Sequence, residues 1–169
     1  MSDKSPCVYD DFPRPITLIR GGLFLAWFVS GAVLAGLSLG LVAVLSFVAI
    51  DIAVIAAIMR KSCSRCRYYG HRCDSGMGLV VATLFPQKPT DEYAEHAQAG
   101  IVLMFLIFAV PPILAAVAMF SGVSGLVLPL LANLAFLAAF VITTPALGCR
   151  HCKMADICPL SPQKSRGQL

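Results

Sequence analysis

Charge is scarce in this chain. Only 13% of its 169 residues are Asp, Glu, Lys or Arg, about half of the roughly 25% that an ordinary soluble domain carries. Histidine occurs three times and tryptophan once. What fills the space is apolar: 58% of residues are hydrophobic, and the mean hydropathy is +0.81. One domain's length of chain could not bury that much apolar surface in water. The excess faces lipid. The same composition excludes a disordered chain, a collagen and a secreted disulfide scaffold. Net charge is +4, but no basic stripe interleaves with aromatics, which argues against a nucleic-acid partner. No nucleophile–base constellation and no phosphate-cradling loop is present, so nothing points to a stand-alone enzyme.

Four apolar runs stand out: Ile16 to Leu37, Leu39 to Met59, Ala99 to Phe120 and Leu126 to Leu147. Each has about 21 to 22 residues, and a helix needs ~20 to cross a ~30 Å hydrocarbon core. The connectors, Gly36-Leu37-Ser38-Leu39-Gly40 and Ser121-Gly122-Val123-Ser124-Gly125, read as tight turns. One unbroken helix over 16–59 would be ~66 Å long, too long for any bilayer. The reading is therefore an all-α polytopic membrane protein with four transmembrane helices as two tandem hairpins. The segments are an N-terminal arm (1–15), hairpin one (16–59), a Cys-rich loop (60–98), hairpin two (99–147) and a Cys-rich tail (148–169). A cleaved signal peptide is disfavoured, because Asp3, Asp10 and Asp11 precede a run that is long for one.

All 13 Lys and Arg lie in the arm and first helix start, the central loop or the tail, and the two hairpin turns carry none. The positive-inside rule then puts both termini and the loop in the cytoplasm, in a cytoplasmic or inner membrane. None of the three histidines falls in a span. A haem-b bundle needs axial ligands on facing helices, so no haem is expected.

The cysteines carry the chemistry. Six of the seven form two clusters, Cys63, Cys66, Cys73 and Cys149, Cys152, Cys158, each directly after a hairpin. The spacings are C-x2-C-x6-C and C-x2-C-x5-C. The chain thus reads as one unit written twice, a parallel repeat. Cytoplasmic thiols stay reduced, so structural disulfides are a poor reading. Two thiolates three residues apart grip one metal from a tight turn, and a third returns after a short loop. His71 and His151 lie inside the clusters and offer a Cys3His zinc set. Iron–sulfur clusters commonly take four cysteines, and Cys7 in the arm is a candidate for a fourth. A C-x2-C redox dithiol would leave the third cysteine idle.

Residues 149–160, Cys149-Arg150-His151-Cys152-Lys153-Met154-Ala155-Asp156-Ile157-Cys158-Pro159-Leu160, resemble the C-x2-C-x5-C-P staple that holds an iron–sulfur cluster in RecB-like nucleases. The likeness covers about a dozen residues. It implies metal chemistry and not nuclease activity. In that family the fourth cysteine lies far upstream, a place that Cys7 would fill. The first cluster, with Tyr68-Tyr69-Gly70-His71-Arg72-Cys73 and Gly76-Met77-Gly78, is similar to small four-helix integral membrane proteins with paired cytosolic C-x2-C-x5/6-C motifs. That likeness implies architecture and no activity.

Asp51 is ~13 Å below the cytoplasmic end of the second run, at 1.5 Å per residue. An intramembrane acid is a candidate site for a proton, a cation or a quinone. The plainer reading is a packing acid, neutral or paired with Arg20. Pro111-Pro112 and Pro129 interrupt the third and fourth runs. Asn133, Thr143 and Thr144 are expected to hydrogen-bond between helices. Tyr93 reads as an interfacial anchor and His96 as a lone interfacial histidine. Thr90-Asp91-Glu92 reads as a cap that opens the third helix. Residues 77–85 are apolar but too short to span, and lie on the membrane surface or cover the metal.

The sequence therefore favours a redox component: cysteine-ligated centres, iron–sulfur ahead of zinc, passing electrons between a cytoplasmic redox partner and a membrane carrier or partner subunit. A zinc-stabilised docking platform is the rival. A soft-metal transporter is weaker, because Met59, Met104 and Met119 are isolated and no ligand ladder crosses the spans.

Overall fold

The computed structural model describes residues 8–159. They contain five α-helices and no strand: α1 Arg14–Leu39, α2 Leu41–Lys61, α3 Met77–Leu84, α4 Tyr93–Phe120 and α5 Val127–Thr143. Four of them are long and apolar enough to cross a membrane, and their outward faces carry Leu25, Val42, Phe105, Leu128 and other exposed apolar residues. This is an integral membrane protein.

Helix ends follow local chemistry. Pro15 stands in the first turn of α1, where its missing N–H is no loss. The connector expected over Gly36 to Gly40 is shorter than that. α1 runs through Leu39, and the break falls on Gly40 alone, at φ +81°. Glycine reaches that angle freely. Gly36 and Ser38 lack that demand and stay helical. At the far end of α2, Arg60 and Lys61 complement the helix dipole. α4 begins six residues before the expected Ala99, so Tyr93 and His96 are helical. Pro111 and Pro112 lie inside α4 without ending it, and Pro111 is buried. The expected Thr90 cap is absent: Glu92 is the cap residue and makes no capping hydrogen bond. Its carboxylate goes to Arg65 instead. α5 stops at Thr143, short of the expected Leu147. A π turn over Thr144–Gly148 carries the chain on to a 3-10 turn over Cys149–His151.

α1 is the central helix. Its Trp27 is 1% exposed, meets Phe108 of α4 edge-on at 4.5 Å and lies 6.4 Å from Phe47 of α2. Phe140 of α5 closes the same layer at 6.0 Å from Phe108. A second apolar layer, Leu34, Ala115, Ala118 and Leu126, sits nearer the hairpin turns. One polar joint crosses the core. Asn133 of α5 donates to the Trp27 carbonyl (3.1 Å) and to Ser30 Oγ (2.8 Å). Thr143 accepts from Arg20 across helices. Thr144 does not follow this pattern: its hydroxyl donates back to Phe140 of its own helix, a local bond that Ser and Thr often make.

Candidate metal centre

The cysteine turns lie where the arm, the loop and the tail meet, at one end of the bundle. The arm enters through Tyr9, whose N–H donates to the His151 carbonyl (3.2 Å), and Phe12, whose N–H donates to the Arg72 carbonyl (2.9 Å). Loop and tail meet at Tyr68. Its hydroxyl donates to the Tyr9 carbonyl (2.8 Å) and accepts from the Lys153 N–H (3.1 Å). The ring is 1% exposed and packs on Phe12 at 5.4 Å. Gly78 closes the loop from behind. Its N–H donates to Cys73 Sγ (3.3 Å) and its carbonyl accepts from Gly70 (3.0 Å). A Cβ at Gly78 would run into the Tyr68 and His71 carbonyl oxygens.

The two C-x2-C segments have one backbone shape. Each follows an αR residue, Ser62 at φ −103°, ψ −53° and Gly148 at φ −96°, ψ −73°. Each makes a 3-10 turn in which the second cysteine's N–H returns to the first cysteine's carbonyl, at 3.2 Å for Cys66 and 3.4 Å for Cys152. The second cysteine is then extended, at φ −78°, ψ 145° and φ −88°, ψ 132°. In both turns a backbone N–H two residues on reaches that cysteine's sulfur: Tyr68 to Cys66, and Met154 to Cys152 at 3.4 Å. Such N–H donors favour a thiolate.

All six described cysteines are free thiols, none fully exposed and none fully buried. Burial pushes Cys66 up to about 12; the Tyr68 N–H opposes this, and Cys63, Cys73 and Asp74 add to it. Burial likewise pushes Cys152 up to about 12, against the Met154 N–H, with Cys66, Asp74 and Cys158 adding to it. The second cluster thus feels the first, through Cys66. Among the described residues no three His, Cys, Asp or Glu side chains are gathered so as to hold a metal ion. The histidines do not complete the clusters as expected. His71 is exposed, with Nδ1 3.6 Å from Asp11, and the His151 ring lies 4.7 Å from the Tyr9 ring. Cys7 lies outside the described residues.

Arg20 is 2% exposed and is held by four groups. Nε donates to Asp74 Oδ2 (3.0 Å) and Nη1 to the Phe140 carbonyl and Thr143 Oγ1 (both 3.1 Å), while the guanidinium lies 4.5 Å from the Phe140 ring. Of the two packing roles open to Asp51, neutral or paired with Arg20, the second is taken by Asp74. Asp51 is 1% exposed, and neither carboxyl oxygen has a hydrogen-bond partner. Asp74 escaped the sequence reading, yet a signal was there: it is the one acid between Asp51 and Asp91, set among six basic loop residues. α3 buries Gly78 and Val81 and leaves Leu79, Val80 and Leu84 exposed.

The chain matches no protein-family model, no curated protein and no solved structure. Its chemistry lies in its own residues: six thiols, four of them in two turns of one backbone shape.

Proposed function

We propose that this integral membrane protein holds thiophilic metal in its cysteine turns and serves as an electron-transfer subunit, with the turns and both termini on the cytoplasmic face. One observation carries the reading: two C-x2-C turns of the same backbone shape, with N–H groups aimed at their sulfurs, share one end of the bundle. Iron–sulfur or iron–thiolate chemistry suits such a ligand set. The bound group would supply reversible one-electron chemistry. The chain's own residues would place it at the membrane surface and shield it, Tyr68 and Met154 from within the cap and α3 along its edge. Its partners would be the bilayer and a redox protein that delivers or removes electrons.

A second reading has its own support. Arg67, Tyr68, Lys153 and Met154 fasten loop to tail, the kind of joint that a redox-inert zinc reinforces. That would make the cap a docking platform. Anaerobic purification from iron-replete cells, with metal and acid-labile sulfide analysis, separates the two. Brown protein whose visible charge-transfer absorption bleaches with dithionite is expected. Colourless protein with stoichiometric zinc, a d10 ion without redox chemistry, would establish the platform instead.

A further inference from the structure

We propose that the two C-x2-C turns build one metal centre between them, with Cys63, Cys66, Cys149 and Cys152 as its four thiolates. This rests on the metal–thiolate reading above and puts one centre where the sequence suggested one for each cluster.

The geometry that points there is a reciprocal exchange. The N–H of Arg67, the residue after Cys66, donates to Met154 Sδ at 3.3 Å. The N–H of Lys153, the residue after Cys152, donates to the Tyr68 hydroxyl at 3.1 Å. In each turn the amide one residue past the second cysteine binds the side chain two residues past the second cysteine of the other. A local two-fold axis between the turns produces that pattern. The same axis would pair Cys66 with Cys152, whose thiol feels Cys66, and Cys63 with Cys149. Four thiolates from two facing C-x2-C turns are a complete tetrahedral set, and neither histidine is needed.

The residues around the turns obey the same equivalence. Arg67 and Lys153 follow the second cysteines, and Arg65 and His151 precede them. The basic pair would offset the excess charge of four thiolates on a divalent ion. The third cysteines break the register, at x6 in one cluster and x5 in the other. Cys73 also has other bonds: its sulfur accepts from Gly78 N–H and lies 3.5 Å from Ser75 Oγ, and its carbonyl accepts from Thr17. The four thiols do not yet converge on a point. Closing the centre asks the Sγ atoms to turn inward on a backbone frame that is already paired.

Cobalt(II) titration of the reduced full-length protein in detergent tests this, read by thiolate charge-transfer absorption. We expect saturation at one equivalent per chain. Cys152→Ser should abolish the signal, and the Cys73→Ser/Cys158→Ser double variant should keep one full equivalent. If Cys152→Ser does not fold, Cys63→Ser on the other turn carries the same expectation. Two equivalents in the parent, with one surviving in Cys152→Ser, would overturn the shared centre and leave the metal–thiolate reading standing. Loss of the signal in the Cys73→Ser/Cys158→Ser variant, with that variant folded, would also overturn it. No cobalt binding by the parent would overturn the metal–thiolate reading itself.

Discussion

Removing Asp74 should destabilise the protein by about 3 kcal/mol, and the reason lies in Arg20. The guanidinium is 2% exposed and Asp74 29% exposed. Stranding one partner of a buried ion pair costs about 3–5 kcal/mol. The low end applies here, because the Phe140 carbonyl, Thr143 Oγ1 and the Phe140 ring stay in place around Arg20, and a cation–π contact contributes about 0.5–2 kcal/mol. Arg20→Met should cost less, about 1–2 kcal/mol, since it fills the space with an apolar chain and leaves Asp74 within reach of water. The Arg20→Met/Asp74→Ala double variant should then resemble Arg20→Met alone, a coupling of about 3 kcal/mol. Thermal unfolding in detergent reads this as a Tm fall of about 6–12 °C for Asp74→Ala, on the scale of domains this size. An Asp74→Ala cost under about 0.5 kcal/mol, or additivity in the cycle, would refute the reasoning. So would equal coupling between Arg20 and Asp51, the pair that the sequence suggested.

Three further outcomes are expected. A cysteine introduced at Ser38 or Ser124 should react with an impermeant maleimide from outside intact cells; reaction only after lysis would reverse the orientation. Gly78→Ala should cost about 2–3 kcal/mol by overpacking and release the 60–98 loop to protease, whereas wild-type resistance would show that the Tyr68 and His71 carbonyls have room to shift. Cys66 and Cys152 are neutral up to about 12 in the fold, against an ordinary value near 9. Their contribution is fully present below pH 9 and is lost as pH rises from there towards 12, because only the unfolded chain ionises in that window. Metal-free protein should therefore lose stability above pH 9 more steeply than its Cys66→Ser/Cys152→Ser variant.

The spans were legible because lipid leaves one solution for backbone polar groups. About 20 apolar residues in a row can only be a helix crossing it. Helix ends were less so. Gly36, Ser38 and Gly40 look alike as turn formers, and only three-dimensional packing decides that the break falls on Gly40. The C-x2-C spacing announced the two turns, but not that the residues after them bond to one another. That depends on bonds between residues 85 to 87 apart, such as Lys153 to Tyr68 and Arg67 to Met154. Arg20 and Asp51 were set together by depth in the membrane, the one coordinate a sequence supplies. The fold brings in Asp74, 54 residues away, by laying the loop over the start of α1. Thr90 looked like a cap, but Arg65 drew Glu92 into an ion pair at 2.7 Å, and the helix opens without one.

The shared turn is also the better witness for a chain written twice. Lipid forces every span to be apolar, so likeness between the halves inside the membrane says little about their history. Across the offset of 86 residues that relates Cys63 to Cys149, the membrane residues differ where they are polar. Asn133 stands opposite Phe47, and Asp51 opposite Leu137. Each half makes its own contacts: Asn133 binds Trp27 and Ser30 of α1, while Phe47 lies 5.7 Å from the Phe28 ring. Outside the membrane, where no such constraint holds, the turns agree in spacing, dihedral angles and N–H···S bonds. Packing cannot be what keeps them alike, because the packing around the halves differs. A ligand that meets both turns at once would keep them alike, and that is the requirement a single shared centre imposes.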